Sequence, residues 1–349
     1  MNERSTFLRA AVFLAIVAVA PARADILVGD FTDGNALGAH SILRFRDSAN
    51  ANAVPVGSFT TDLPGVRMQT PFYLTYEPIE HVVYVGDFYG QAIHVYPEDA
   101  RGNTAPLRTF TSPSLGQPRR VAVSVPHDEL FAAVSGCCVA AYPRMATGNT
   151  GALRFIQWGG SNGSVTRLNN PTGPVLRPAS DTLIVADYQQ NPDNSYSAVL
   201  LSFDRNANGN AAPVAAIEGN LTMLGSSAVG PAYDEAHDEL FVVGVDAAST
   251  YRLLSFAGTA SGNVAPLRAV EGPAANLAAV TDVAYDPIHD TIYVIEGGYN
   301  GFAPNVLAFP RTATGNVAPT RTIAGAATTI GYPIGIAVTY GHIFEDGFE

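Results

Sequence analysis

Four carboxylates close short apolar runs along this chain: Asp30, Asp87, Asp187 and Glu296, with Asp246 displaced by about a residue from the same position. Calcium takes six to eight oxygen ligands, so these side chains could hold that ion if the fold brings them to one point. The competing reading is local, in which each carboxylate accepts hydrogen bonds from the turn that follows it. Recurrence along the chain favours the local role, because a feature present in unit after unit usually serves the unit. Histidine recurs as well, at His81, His127, His237 and His289, with His94 elsewhere. A metal centre needs ligands that converge, whereas equivalent positions of a repeat are held apart. These histidines therefore read as turn residues bonded to nearby backbone.

Cys137 and Cys138 are adjacent and are the chain's two cysteines. Three states compete: a disulfide between neighbours, bridges to another chain, or two thiols. The first is favoured, because no third cysteine offers either residue a partner within the chain. Other catalytic signatures are absent. There is no Gly-x-Ser-x-Gly elbow, no His-Glu-x-x-His, no phosphate-binding loop and no dinucleotide fingerprint.

The elements that must position these groups follow from a repeat. Gly102-Asn103-Thr104-Ala105-Pro106 recurs as Gly209 to Pro213, Gly262 to Pro266 and Gly315 to Pro319, with weaker copies at Ala51 to Pro55 and Gly148 to Ala152. Spacings between the asparagines are 51, 46, 61, 53 and 53 residues. A second motif keeps phase with the first: Tyr285-Asp286-Pro287-Ile288-His289-Asp290 precedes an apolar run, as do Tyr76 to His81 and Tyr233 to Asp238. Each unit reads as four short strands rich in Val, Ile, Tyr and Phe. In the last full unit these are A, Val280 to Tyr285; B, Thr291 to Ile295; C, Asn305 to Pro310; and D, Thr320 to Ile323. No long segment has a helical apolar period. Gly-Asn suits a C–D turn that needs positive φ. Proline beside it begins the edge strand D, where it costs least, and Arg108, Arg154, Arg268 and Arg321 add exposed charge to that edge.

Four-stranded units at this period predict an all-β fold, a six-bladed β-propeller with four antiparallel strands per blade. The first unit starts at its strand B, Ile26 to Asp30, and an orphan strand, Ile334 to Tyr340, matches strand A. The two are expected to close the ring. In such a ring the B–C and D–A loops share one face, around the mouth of the central channel. The long, variable ones carry Tyr89, Trp158, Tyr188, Tyr196, Tyr299 and Phe302, and variable loops on a rigid scaffold are where ligands usually bind. Val82 to Asp87 followed by Ala92 to Tyr96 resembles the NHL-type repeat, with Asp30 and Asp187 matching its aspartate. That resemblance spans all six units and implies an NHL-like or lactonase-like propeller. It also raises calcium at the acidic positions, since lactonase-like propellers hold a metal near the channel mouth.

Composition narrows the partners. The 349 residues carry a formal charge of −12, with 19 basic residues that are all arginine and no basic cluster. This argues against nucleic acid and anionic membranes. Arg4 and Arg9 precede an apolar run of eleven residues, Ala10 to Ala20, and Ala22-Arg23-Ala24 fits a cleavage site. Residues 1–24 are thus expected to be an export signal, 25–340 the propeller and 341–349 a short aromatic and acidic tail, with no later segment apolar enough to span a bilayer. The protein is expected in the periplasm, on the cell surface or secreted, and monomeric by default. The leading functional expectation is a binding or surface-interaction module for a protein, peptide or glycan. Alternatives are a calcium-dependent lactonase or esterase at the channel, and a purely structural envelope protein.

Overall fold

Apolar runs in which every position is hydrophobic, such as Val82 to Val85, belong to strands buried on both faces. The computed structural model describes residues 24–31, 40–157, 164–298 and 301–340 and shows why both faces are covered. Six antiparallel sheets stand around a central axis, each built in the order A-B-C-D. Blade 2 has strands Pro71–Glu77, Val82–Asp87, Ala92–Pro97 and Arg108–Thr111. Blade 3 has Pro118–Ser124, Glu129–Val134, Cys138–Pro143 and Arg154–Gln157. Blade 4 has Gly173–Arg177, Thr182–Gln190, Tyr196–Asp204 and Ala215–Ile217. Blade 5 has Ser227–Asp234, Glu239–Val245, Tyr251–Ala257 and Arg268–Val270. Blade 6 has Val280–Asp286, Thr291–Glu296, Asn305–Pro310 and Arg321–Ala324. Blade 1 is composite: Pro333–Tyr340 is its strand A, and Ala24–Asp30, Ser41–Arg46 and Gly57–Thr60 are B, C and D. Ala24 pairs with Tyr340 and Asp25 with Thr339, so strands from the two ends of the propeller close the ring as expected.

The core lies between blades. Six hydrophobic clusters fill the six interfaces. Tyr84 and Val82 face blade 3, whereas Val83 and Val85 face blade 1, which explains the unbroken apolar runs. The Gly-Asn repeat also acts between blades, beyond the local turn its sequence suggests. Strand D of each blade forms a short parallel bridge with the next blade's copy, as in Phe59 to Gly102, Ile217 to Gly262 and Val270 to Gly315. Ala51 takes the glycine's place against Ile323, at φ 50°. Asparagine Oδ1 then accepts a main-chain N–H from the preceding blade: Asn263 from Leu221 at 2.8 Å, Asn316 from Ala274 at 2.8 Å and Asn52 from Ala327 at 2.7 Å.

Two edge expectations change. The prolines precede strand D by two residues, as Pro106 does for the strand that starts at Arg108. The arginines are largely buried. Arg154 forks onto Glu129, Arg268 pairs with Glu239, and Arg321 bonds Tyr293 Oη at 2.8 Å. Each lies back over strand B of its own blade, so the charge is spent inside the sheet.

The six A strands line the channel, and five of the six A–B pairings contain a register shift. A bulge re-aims a side chain, and in blade 3 it falls between Pro118 and Val121, at Arg119 and Arg120. Arg120 crosses the channel to pair with Asp282 of blade 6 and donates to the carbonyls of Pro231 at 2.9 Å and Val283 at 3.1 Å. Its guanidinium lies 5.7 Å from the Tyr73 ring centroid in blade 2. Asp282 accepts the Ile336 N–H of blade 1 at 3.0 Å. In blade 4, a Cβ at Gly173 would stand 2.9 Å from Arg120 Cβ. One ion pair thus touches all six blades. Removing one partner leaves a buried charge uncompensated, so R120M and D282N should each cost about 3–5 kcal/mol, while the double variant R120M/D282L should recover much of the loss. Urea unfolding checks both; a single variant as stable as the parent would contradict the assignment.

Candidate functional site

Strand B ends, and strand A begins, on the same face of the ring. Residues at the start of strand A therefore line the channel mouth on the B–C/D–A face, where a cavity of about 400 Å³ opens. Aromatic rings dominate its wall: Phe31, Phe72, Tyr73, Tyr89 and Tyr332. They form two groups, Phe31 6.4 Å from Tyr89 and 6.0 Å from Tyr332, and Phe72 5.2 Å from Tyr73, joined behind the wall by Phe88, 4.7 Å from Phe72 and 5.2 Å from Tyr89. Thr70, Thr172, Ser227 and Thr281 add hydroxyls, and among the described residues Arg119 is the one charged residue in the lining. A second cavity of about 270 Å³ opens from the opposite end and shares no lining residue with the first. Arg120 borders that second cavity, and its pair with Asp282 lies between the two. The mouth is a blind pocket.

The acidic positions surround this mouth and are already engaged. Asp30 accepts N–H bonds from Gly331 at 3.0 Å and Tyr332 at 2.6 Å. Asp87 accepts from Gln69 and Thr70, both at 2.8 Å, and from Gly90 at 3.0 Å. Asp187 accepts from Asn169 and Asn170, both at 2.8 Å, and Glu296 from Ala278 at 3.1 Å and Asn305 Nδ2 at 3.2 Å. The loop each one chiefly holds is the D–A loop of its own blade, since strand B lies beside strand A. Among the described residues the B–C turns give these four carboxylates one main-chain bond, Gly90 to Asp87, while the Tyr188 N–H that bonds Asp187 at 2.7 Å lies in strand B itself. Asp246, one residue past strand B, does cap its own turn through Ala248 and Thr250, both at 2.9 Å.

Burial sets how these groups titrate. It pushes the Asp187 carboxyl up to about 6 and Glu296 up to about 7, against N–H bonds that pull them down. Asp30 is raised for the same reason. Asp87 moves the other way: burial would raise it, but the bond to His94 together with the backbone N–H groups outweighs that and holds it below the usual range.

Among the described residues, the one group of three metal-ligating side chains within 4.8 Å of one another is Asp234, His237 and Asp290, and it includes none of the four acidic candidates. It sits on the A–B face. Arg311 Nε already lies 2.6 Å from Asp290 Oδ1 and 3.7 Å from Asp234 Oδ2, where a cation would have to go. The turn histidines bond side chains as well as turns: His237 and His289 Nδ1 lie 2.6 and 2.8 Å from Asp234 and Asp286, and His127 Nδ1 lies 2.8 Å from Ser124 Oγ.

Of the aromatic candidates, Tyr89 lines the mouth cavity. Tyr188 and Tyr196 pack against each other, 5.2 Å apart, on the hairpin of blade 4, and Phe302 is exposed elsewhere on the loop face. Trp158 and Tyr299 lie outside the described residues, as do residues 1–23 and 341–349. Cys137 and Cys138 form a disulfide in the B–C turn of blade 3, with Cys137 bordering a groove beside Arg167 and Gln189. Phe31, Phe72, Tyr73, Tyr332, Thr70 and Arg119 are the mouth residues that loop reasoning missed. Their signal is positional, since most stand at or just before the start of a strand A.

No protein-family model and no curated protein sequence matches the chain. Solved structures do match in fold. The chain is similar to a putative 6-phosphogluconolactonase from Bacteroides fragilis, with TM-score 0.56, 14% identity, and coverage of 91% of this chain and 98% of that one. A match to hydrazine synthase of Kuenenia stuttgartiensis has TM-score 0.48 and 15% identity, covers 72% of this chain and spans 64% of that chain's length. At these identities the likeness concerns the propeller architecture.

Two outcomes follow. With the four carboxylates committed to main-chain N–H groups, chelator and excess calcium should leave the melting temperature of the protein unchanged; a large drop on chelation would reveal a bound ion. In the unfolded chain Asp187 and Glu296 titrate near 3.8 and 4.5. The folded state therefore holds extra protons above those values, and the stability they supply is lost as pH rises through about 6 and 7. Glu296→Gln should flatten that decline, measured by urea unfolding from about pH 5 to about pH 8.

Proposed function

We propose that this protein is a binding module whose ligand, a compact molecule with a flat or ring-shaped face, seats in the channel mouth. The observation that carries this reading is the blind cavity of about 400 Å³ walled, among the described residues, by five aromatic rings. Its volume is in the range of small-molecule sites, and aromatic walls bind flat faces with little entropy cost, since each ring has few rotatable bonds. The expected export signal, from Arg4 and Arg9 through Ala24, would carry this module outside the cytoplasm, where the Cys137–Cys138 disulfide is stable.

A lactone-hydrolysing reading draws on Glu296, whose carboxyl at about 7 suits general acid–base work, and on the likeness to the putative lactonase of Bacteroides fragilis. Against it, Glu296 is 3% exposed and is not part of the mouth lining.

Calorimetry of the protein against pyranoses, short peptides and small aromatic compounds tests the first reading. A saturable heat should appear for a ring-bearing compound, and Tyr89→Ala should weaken it by about tenfold or more while leaving the melting temperature unchanged. Tyr89 is 59% exposed, so the variant should fold normally. Turnover of a sugar δ-lactone, lost in Glu296→Gln, would instead favour the hydrolase.

A further inference from the structure

We infer that the ligand of the mouth carries one carboxylate or phosphate group and that Arg119 is its counter-ion. This rests on the mouth being the binding site. Among the described residues Arg119 is the single charged one in the lining. Among the described residues its side chain makes one hydrogen bond, to Ser135 Oγ at 3.2 Å, and its buried Nε has no partner.

The contrast with the chain's other arginines is chemical. Arg44, Arg120, Arg154, Arg177, Arg205 and Arg252 each hold a carboxylate. Arg101 and Arg321 do not, but they bond main-chain carbonyls and a tyrosine hydroxyl on the flank of the ring. Arg119 alone lines an open cavity without an ion pair among the described residues. The same bulge that sends Arg120 down to Asp282 leaves Arg119 at the mouth.

A second group lacks a partner in the same lining. Thr70 is 1% exposed and its hydroxyl makes no hydrogen bond. Buried polar groups are normally satisfied. Two donors bordering one small cavity have no partner among the described residues, and guanidinium and hydroxyl groups both suit a carboxylate or phosphate oxygen. The neighbouring negative charges are turned away from this role. Asp187 feels the Arg119 charge but is bonded to three N–H groups, and Asp30 and Asp87 hold their own D–A loops. The aromatic wall keeps the local dielectric low, which strengthens a cation's pull on an anion.

Titration calorimetry with matched pairs tests this: glucuronate and glucose 6-phosphate against glucose, and benzoate and phenyl phosphate against benzyl alcohol. In at least one pair the anionic member should bind about tenfold or more tighter than its neutral counterpart, and the preference should fall with added salt. Arg119→Gln should abolish the preference, so that charged and neutral members bind alike, and Arg119→Lys should retain part of it. The carboxylate and phosphate arms identify which anion is preferred. Equal binding of charged and neutral members, both weakened by Tyr89→Ala, would overturn the anion inference and leave the mouth as the binding site. No binding of any probe at tens of millimolar would overturn both. A preference that survives Arg119→Gln would remove Arg119 from the role.

Discussion

A ring of blades has a hole at its centre, and here that hole is closed by a buried ion pair. Arg120 reaches from blade 3 to Asp282 of the opposite blade, and the remaining bonds and contacts of the two side chains involve the other four. Buried charges are tolerated when they are paired and hydrogen-bonded, and here the guanidinium's two terminal nitrogens carry all the bonds. The pair therefore needs all six A strands in their places, and it rewards that arrangement. It also divides the channel into two cavities, of which the mouth on the loop face is the more aromatic.

Around this centre the remaining polar groups work mostly as staples. Carboxylates at the ends of the B strands of four blades hold the D–A loops that lead back to the axis. Asparagines of the repeat hold the preceding blade from the rim. Charge that might have served a metal is used on main-chain N–H groups of these loops. Of the buried groups left without a partner among the described residues, Arg119 Nε and the Thr70 hydroxyl are the two that belong to the mouth lining.

The fold itself says little about activity. A likeness at 14% identity to a putative 6-phosphogluconolactonase fixes the architecture and leaves the chemistry open, because one propeller scaffold hosts many unrelated functions. Function in such a scaffold belongs to the side chains that the A strands and their loops place at the channel. Among the described residues those side chains at the mouth are rings, hydroxyls, a few aliphatic groups and one arginine.

Much of this architecture was legible in the residue order. The period of about fifty, the four strands per unit and the split first blade follow from turn chemistry and apolar runs, which are local properties. The strand bounds in the last full unit agree with the structure to within one residue at each end. The candidate site was only partly legible. Tyr89 stands in a B–C loop and could be found by asking which loops vary, but Phe72, Tyr73 and Arg119 lie in strands that look like ordinary core strands. Pro118-Arg119-Arg120 gives no sign that one arginine will cross the axis to Asp282, 162 residues away, and that the other will face the mouth. A one-residue bulge decides that, because shifting a strand by one residue exchanges which side chains point to each face. Likewise the carboxylates read as caps of their own turns, and it took the pairing of strand B with strand A to bring them to the D–A loops instead. Sequence determined the blades because their turns and apolar runs are local; tertiary structure decided the site because it forms only where six separate strands meet.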